Sequence, residues 1–289
     1  RTIESGDLFI SISGPNFDGH NFVESAFNRG AVASIVSRSM EGLSEDTLML
    51  KVPDTVKAFN ELGCGARNRS TAKIIAVTGS VGKTGVKEAL ARLLSDQGRV
   101  SYSLGSYNNH FGVPLSLARL DKNANYGIFE LGMNHSGELA RLSKMVRPNV
   151  AIITTVDLAH AEFFSSIDEI AQAKAEIFEG LQQGGTAILN RDNQQFELLR
   201  DAALASGAGR VIGFGVHNQS QFKLMDFVLN AEGSSVKVCC DNIKFSYDLS
   251  MPGQHWVQNS LAVLAAINAV GADMIEAAKS FINIKPFKG

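Results

Sequence analysis

The sequence predicts an α/β protein of about two domains. The chain has 289 residues, of which 45% are hydrophobic, enough for two separate cores. From residue 72 onward, strand-like and helix-like segments alternate regularly, which favours βαβ units and a parallel sheet. The strands are nearly continuous apolar runs, typical of a sheet covered on both faces. We expect a small α/β domain over residues 1–70, and over residues 71–289 a central domain with a mostly parallel sheet and a small antiparallel addition.

The first domain is predicted from four segments. Two short strands are expected in "DLFISI" and "AVASIVS", because both are apolar and rich in β-formers. Between them, "FVESAFNRG" predicts a helix ended by Gly30. A second helix is expected in "PDTVKAFNELGCGARNRS", starting after Pro53.

The larger domain is predicted from the alternation itself. Parallel strands are expected in "KIIAVT", "YGIFEL", "NVAIITTV" and "GTAILN". The helices between and after them are expected in "KTGVKEALARLLSDQG", "SGELARLSKMV", "SIDEIAQAKAEIFEGL" and from about Asn193. The alternating segments "FKLMDFVL", "SSVKVCC" and "IKFSYDL" predict the antiparallel addition, and "VQNSLAVLAAINAVG" predicts a final helix.

Composition limits the possible partners and compartment. The formal net charge of -2 gives no support to a nucleic-acid-binding surface. No apolar run approaches the ~18–20 residues of a membrane span, so we expect no membrane insertion. Three sparse cysteines favour a reducing compartment, and we expect a cytoplasmic monomer. The chain begins without methionine and stops at "IKPFKG", so we also expect a fragment at both ends.

The stretch "TGSVGKT" predicts a phosphate-binding loop between a strand and a helix. The Walker A pattern places a glycine where Val77 stands, whereas here the early glycine is Gly79. Glycines allow successive N–H groups to point inward, and the helix N-terminus adds partial positive charge. The alternative is a simple strand-to-helix turn with an exposed lysine. The predicted nucleotide-binding residues are Thr78, Gly79, Ser80, Val81, Gly82, Lys83, Thr84 and Gly85.

Two further polar residues follow strands at the same predicted edge. Glu130 ends "YGIFEL", and His160 follows "VAIITT". Together with the Thr84 hydroxyl they suit a magnesium ion that keeps water and phosphate oxygens as its other ligands, although histidine is an unusual magnesium ligand. Each has a structural alternative: Glu130 as a helix cap and His160 as a hydrogen-bonded loop residue.

Lys174 lies within the apolar stripe of its predicted helix, between Ile170 and Ile177. A buried lysine tends to lose its proton, and a neutral amine near a metal can react with carbon dioxide to give a carbamate ligand. The periodicity alone leaves open, and favours, a lysine that snorkels to solvent from the edge of the stripe.

These residues together resemble the Mur ligase superfamily, the ATP-dependent amide-forming enzymes of peptidoglycan precursor synthesis. The family's loop has the form T-G-x-x-G-K-T, which "TGSVGKT" matches. The resemblance implies a metal-binding role for Glu130 and His160 and a carbamylated Lys174. The segment "GQHWVQN" resembles the family's G-x-H-N-x-x-N motif on the adenine side, with Asn259 as its second asparagine and Trp256 in place of the first.

Within the superfamily, "YNNHFGVPLSLARL" and "FELGMNHSGE" are most similar to the branch that adds D-alanyl-D-alanine to UDP-N-acetylmuramoyl-tripeptide. The opening "SGDLFISISGPNFDGHNFVESAFNRGA" resembles the nucleotide-sugar-binding domain of that branch and of its meso-diaminopimelate- or lysine-adding relative. His110 departs from the family, where an acid is common, as does Gly85, where a small hydroxyl residue is common. The implied substrate-binding residues are Asp18, Gly19, His20, Asn108 and Asn109.

The resemblance also implies the chemistry. A substrate carboxylate attacks the γ-phosphate of ATP, and the resulting acyl phosphate is attacked by the amine of D-alanyl-D-alanine. Two magnesium ions are implied, one held by Thr84 and Glu130 and the other by His160 and carbamylated Lys174. A third, C-terminal domain of the family is expected to be absent from this chain. The alternatives are another superfamily ligase, such as folylpolyglutamate synthase, and a non-catalytic nucleotide-binding module.

Overall fold

The computed structural model describes residues 3–40, 42–43, 47–158 and 164–284. The chain folds into two compact units, Arg1–Gly65 and Ala66–Gly289. Both combine strands with helices, so the predicted α/β class is confirmed. Within the described ranges, no helix is both long and apolar enough to cross a membrane.

The first unit is built on a parallel sheet of three short strands in the order β1-β4-β5, beside a β2-β3 hairpin. Its strands are β1 Leu8–Ile10, β2 Ser13–Gly14, β3 Phe17–Asp18, β4 Ala33–Val36 and β5 Met49–Lys51. Its helices are α1 Val23–Asn28 and α2 Thr55–Arg69, and the boundary between the units falls within α2.

The second unit is built on one nine-stranded sheet. Its strands are β6 Lys73–Thr78, β7 Val100–Tyr102, β8 Tyr126–Glu130, β9 Val150–Ile153, β10 Thr186–Asn190, β11 Arg210–Gly215, β12 Phe222–Asn230, β13 Gly233–Cys240 and β14 Ile243–Leu249. They lie in the order β14-β13-β12-β11-β10-β9-β6-β8-β7. All neighbouring pairs from β7 to β12 are parallel, and only the β12-β13 and β13-β14 pairs are antiparallel. The predicted antiparallel addition therefore extends the main sheet at one end.

Helices cover both faces of this sheet. They are α3 Lys83–Ser95, α4 Gly112–Ala118, α5 Glu138–Val146, α6 Ile167–Ala175, α7 Phe196–Ala205, α8 Gln254–Ala269 and α9 Met274–Ser280. Alternate residues of one strand enter different cores: Ile75 packs with α3 and α8, whereas Ile74 packs with α5 and α6. This two-sided burial explains why the strands are apolar without alternation.

Strand β6 occupies the position that creates a binding crevice. Its two neighbours are β8 on one side and β9 on the other, so the chain leaves β6 in one direction and later returns on the opposite side. Connections diverge at such a point, and ligands of open α/β sheets bind there, beyond the carboxyl ends of the strands. The loop between β6 and α3 lies at this place.

Several short elements were not predicted. They include β5 and β7, of three residues each, and α4, which has Pro114 in its first turn. Strand β11 and helix α9 were also missed. The helix predicted over "SIDEIAQAKAEIFEGL" ends as an α-helix at Ala175 and continues as a tighter 3-10 turn over Glu176–Gly180.

Candidate active site

The loop after β6 depends on two glycines. Gly79 has φ +148°, and a Cβ there would lie 2.0 Å from the hydroxyl oxygen of Thr154. Gly82 has φ +85° and stands directly before α3, where a Cβ would lie 2.9 Å from the side-chain amide of Asn259. The loop therefore has no room for a side chain at either position. Such a loop can bring its backbone close to a ligand.

The loop is fastened to the segment that follows β9. The Thr154 hydroxyl donates to the carbonyl of Val81 at 2.5 Å. The backbone N–H of Ser80 donates to the carbonyl of Thr155 at 2.9 Å, and the Ser80 hydroxyl donates to the carbonyl of Asp157 at 2.9 Å. These bonds fix the shape of the loop from outside. The first N–H groups of α3, which have no partner within the helix, are thereby left to face an anion.

Lys83 begins α3 and folds back over the loop. Its Nζ donates to the carbonyl of Gly79 at 2.7 Å and to that of Ser80 at 3.4 Å. Burial lowers the pKa of Lys83, and the nearby carboxylate of Glu130 partly offsets that shift. The ammonium is thus held over the phosphate cradle and close to a buried acid.

Glu130 is the centre of the hydrogen-bond network at this edge. Its side chain is 1% exposed. Oε2 accepts from the hydroxyl of Thr84 at 2.9 Å, and Oε1 accepts from the Asn108 side-chain amide at 2.7 Å. The backbone N–H of Glu130 donates to the Ser103 hydroxyl at 3.1 Å. The adjacent hydroxyl and carboxylate oxygens are hard donors and fit a magnesium ion that takes its other ligands from phosphate and water.

Within the described ranges, no three histidine, cysteine, aspartate or glutamate residues cluster in a way that could hold a metal. Thr84 and Glu130 would supply only two protein oxygens. Magnesium sites that also use substrate phosphates usually have no more than one or two ligands from the protein. The predicted ligand His160 lies outside the described residues. Its role stays a prediction.

Lys174 is buried in α6 with 2% of its surface exposed, so it does not snorkel to solvent. Burial lowers its pKa to about 8, and the positive charge of Lys83 adds to this shift. The electrostatic coupling places the two amines in the same region of the site. This lowered pKa gives the amine a larger neutral fraction near pH 7 than an exposed lysine has, and a carbamate on Lys174 stays a prediction.

The predicted substrate residues are already engaged within the protein. The Asn109 side-chain oxygen accepts from the N–H groups of Phe111 and Gly112, at 3.1 and 2.9 Å, where α4 begins. Asn109 therefore caps this helix, whereas Asn108 reaches Glu130. Neither arrangement tests a contact with substrate, which stays a prediction for both.

In the first unit, Asp18, Gly19 and His20 form a closed local arrangement. His20 is 3% exposed. Its Nε2 accepts from the N–H of Ser37 at 2.9 Å, so Nδ1 carries the proton and donates to Asp18 at 2.6 Å. Hydrogen bonds from His20 hold the pKa of Asp18 well below its usual range. A Cβ at Gly19 would lie 2.6 Å from the backbone of Ile12. The predicted substrate contacts of these three residues remain predictions.

Sequence reasoning missed Lys87. This lysine of α3 is fully buried, and its Nζ donates to the carbonyl of Gly105 at 2.7 Å and pairs with Glu88 at 2.8 Å. It ties the phosphate-loop helix to the segment that carries Ser103 and Asn108. The available signal was its position beside Val86 and Leu90 on the apolar stripe of the helix, the same signal that singled out Lys174.

The two departures at Gly85 and Trp256 lie against each other. A Cβ on Gly85 would lie 2.6 Å from Cη2 and 3.1 Å from Cζ2 of the Trp256 indole. The indole therefore occupies the space of a side chain at position 85. Asn259, one turn further along α8, lies against Gly82 in the same way. Helix α8 thus packs its first turns on the phosphate loop.

The fold and the loop geometry define the class: an α/β protein with a phosphate-binding loop at the switch point of its sheet. The family is given by a direct match, since residues 77–267 fit the family described as the Mur ligase middle domain. This segment makes up most of the chain, and the chain therefore belongs to the Mur ligase family. The recognition made from the motifs is confirmed.

Known relatives agree with this membership. The chain is 36% identical, over 291 aligned positions, to the UDP-N-acetylmuramoyl-tripeptide--D-alanyl-D-alanine ligase of Rickettsia prowazekii, covering 100% of this chain and 64% of the relative. Among solved structures, MurF from Acinetobacter baumannii superimposes with a TM-score of 0.88 at 32% identity, covering 99% of this chain and 62% of that one. MurF ligase from Thermotoga maritima in complex with ADP gives 0.80 at 27% identity, covering 96% and 63%. The chain thus spans a little under two thirds of these relatives.

The contact between Gly85 and Trp256 gives a first testable prediction. Gly85→Ala should destabilise the protein by about 1–3 kcal/mol, because the added methyl overlaps a packed indole. Trp256→Asn in the same chain should remove most of that cost. Chemical denaturation of the two single variants and the double variant measures the coupling, which should exceed about 0.5 kcal/mol.

Gly65→Ala is the matched control, because Gly65 is also helical but a methyl group added there would meet no atom within 4 Å. It should be neutral or stabilising by up to about 1 kcal/mol. Additive effects of Gly85→Ala and Trp256→Asn would show that the indole does not restrict position 85.

A second prediction concerns Lys87. Lys87→Met keeps the buried stem but removes the donor to the Gly105 carbonyl, and should destabilise the protein by about 1.5–3 kcal/mol. Because the segment carrying Asn108 is then less firmly held, any magnesium-dependent activity of the full-length protein should need severalfold more metal for half-saturation. Lys144→Met, at an exposed surface pair with Glu179, is the control and should change neither quantity. An unchanged magnesium titration for Lys87→Met would limit Lys87 to a packing role.

Proposed function

We propose that this chain is the substrate-activating part of an ATP-dependent ligase that joins D-alanyl-D-alanine to UDP-N-acetylmuramoyl-tripeptide. The observation that carries the proposal is the buried Glu130 carboxylate, which links Thr84 of the phosphate loop to Asn108. The relatives reported above support the choice of branch within the family. The MurF structure solved with ADP supports ATP as the nucleotide.

The first step brings two anions together. The carboxylate of the tripeptide attacks the γ-phosphorus of ATP, an acyl phosphate forms, and ADP leaves. Lys83 lies over the loop carbonyls, and its ammonium would pair with the phosphate oxygens of bound ATP. Stabilising the negative charge of these oxygens is the main requirement of phosphoryl transfer. Magnesium, when bound by Thr84 and Glu130, offsets the remaining negative charge on the phosphates.

The second step forms the amide. The amine of D-alanyl-D-alanine attacks the acyl carbon, and inorganic phosphate leaves with the electrons of the broken C–O bond. We assign a second magnesium ion to His160 and carbamylated Lys174, with the carbamate supplying an anionic oxygen ligand. Asp18, Gly19 and His20 are proposed to shape the nucleotide-sugar site of the first unit, and Asn259 the nucleotide side of the loop. The protein is proposed to work as a cytoplasmic monomer.

Two other functions fit the site and the relatives less well. Another ligase of the superfamily would use the same phosphate loop with a different acceptor, but the supporting relatives of at least 35% identity are D-alanyl-D-alanine-adding enzymes. A non-catalytic nucleotide-binding module would have no need of a desolvated lysine beside the phosphate loop. The pKa of Lys174, lowered to about 8 by burial, therefore favours an enzyme.

The function is tested by ligation in the full-length protein. With ATP, magnesium and UDP-N-acetylmuramoyl-tripeptide, phosphate release should depend on D-alanyl-D-alanine and yield the pentapeptide product. Lys83→Ala should reduce turnover by about 100-fold or more, because it removes a cation from the site of developing charge. Lys73→Ala, at an exposed lysine ten residues earlier, is the control and should retain activity. Full activity of Lys83→Ala, or ligation of an unrelated amine instead, would contradict the proposal.

The carbamate is tested by chemical rescue. With a pKa of about 8, about a tenth of the Lys174 amine is neutral at pH 7 and can take up carbon dioxide. Lys174→Ala should lose about 100-fold or more of the activity, and acetate should restore a measurable part by filling the anion position. Lys174→Arg should stay inactive, because its cation cannot form this carbamate. Acetate should not rescue Lys83→Ala, which lacks a cation. Wild-type activity of Lys174→Arg would disprove the carbamate.

A further inference from the structure

One hydroxyl at the phosphate loop has no hydrogen-bond partner among the residues that the structure describes. Thr78 ends β6 with 1% of its surface exposed, and its Oγ1 is buried and unpaired. Neighbouring hydroxyls are engaged: Thr84 donates to Glu130, and Ser80 and Thr154 donate to backbone carbonyls. A buried hydroxyl without a partner is costly, so its presence at this edge of the sheet indicates a role in binding.

The side chain of Thr78 faces away from the phosphate-loop helix. Alternate residues of a strand share a face of the sheet. Ile75 and Val77 pack in the core on the side of α3, whereas Ile74 and Ala76, which share the face of Thr78, pack in the core on the side of α6. The hydroxyl therefore points into the layer between the sheet and α6, and not toward the phosphate-binding N–H groups of α3.

Lys174 enters the same layer from the helix. It shares a face of α6 with Ile170, which belongs to the core on that side of the sheet. Among the described residues, none forms a hydrogen bond or ion pair with its amine. Burial and the charge of Lys83 lower the pKa of Lys174. Nζ of Lys83 lies 2.7 Å from the carbonyl oxygen of Gly79, the residue directly after Thr78. The amine and the unpaired hydroxyl are thus at the same end of this layer.

The carbamate of the proposed function, on which this inference rests, brings a negative charge into the layer. The neutral amine of Lys174 attacks the carbon of carbon dioxide, an electron pair of one C=O bond moves to its oxygen, and the nitrogen loses a proton to water. The product is an anion in largely apolar surroundings, where an anion is stable only if donors meet its oxygens. One oxygen is available to a metal ion, and the other needs a donor from the protein.

We propose that the Thr78 hydroxyl donates a hydrogen bond to the carbamate of Lys174 and thereby stabilises it. Thr78 is then a positioning residue, which acts through Lys174 and does not itself contact the transferred phosphate. Hydrogen bonds to an ionised group are among the stronger ones in proteins, and this bond also satisfies a buried hydroxyl that otherwise has no partner.

The test measures the carbamate directly in the full-length protein. After addition of isotopically labelled bicarbonate at fixed pH and magnesium concentration, carbon NMR should show a carbamate signal that is missing in Lys174→Ala. In Thr78→Val, which keeps the shape of the side chain, the half-maximal signal should need about tenfold more carbon dioxide, because a hydrogen bond to a charged group is lost. Thr78→Ser keeps the hydroxyl and should stay within about threefold of the wild type.

A stability measurement separates this role from packing. Without carbon dioxide, Thr78→Val should leave the midpoint of chemical denaturation unchanged or raise it, because it removes an unpaired buried hydroxyl. Thr55→Val is the matched control in the first unit, since Thr55 is also buried but its hydroxyl donates to the carbonyl of Ser11 at 2.9 Å. That variant should lower the midpoint and leave carbamate formation unchanged.

Three outcomes overturn the inference. Wild-type carbon dioxide binding in Thr78→Val does so while the carbamate and the proposed function stand. Weaker binding in Thr78→Val that Thr78→Ser does not restore does so as well, because the hydroxyl is then not the group responsible. A wild type without any signal that depends on Lys174 contradicts the carbamate of the proposed function, and the inference falls with it.

Discussion

The burial of one carboxylate organises the edge of the sheet that carries the phosphate-binding loop. Glu130 ends a central strand where water is nearly excluded, so its charge must be met by hydrogen bonds from the protein. The groups that meet it come from two different elements, Thr84 of the phosphate-loop helix and Asn108 of the segment after β7. The hydrogen bonds to this one carboxylate therefore fix the phosphate-loop helix relative to the segment that carries Asn108. The buried Lys87 also fastens the second of these elements to the first, through its hydrogen bond to the carbonyl of Gly105.

Much of the fold was predictable because its long elements repeat a simple rule. Apolar runs such as β6 and β9 are buried on both faces, and a helix of regular periodicity separates each such strand from the next. Short elements gave too little pattern: β7 has three residues, and α4 begins with a proline in its first turn. Strand order could not be predicted either, since it depends on which apolar faces meet in the folded state.

The candidate site likewise combines residues that the sequence could predict with contacts that it could not. Glu130 was predictable because the carboxyl ends of parallel strands meet at one edge, and Lys174 because a cation interrupts an apolar stripe. The hydrogen bonds of His20 within the first unit were not predicted: one ring nitrogen pairs with the nearby Asp18, and the other accepts from the N–H of Ser37, seventeen residues later. The second contact depends on how the chain folds back and has no local signal, and the substrate contact of His20 stays a prediction.

The contact between Gly85 and Trp256 constrains the order in which substitutions at these two positions are tolerated. A residue with a side chain at position 85 conflicts with an indole at position 256, whereas glycine tolerates both an indole and a smaller side chain there. A side chain can therefore be introduced at position 85 only after Trp256 has been replaced by a smaller residue. The two positions form a coupled pair, in which the effect of a substitution at one depends on the residue present at the other.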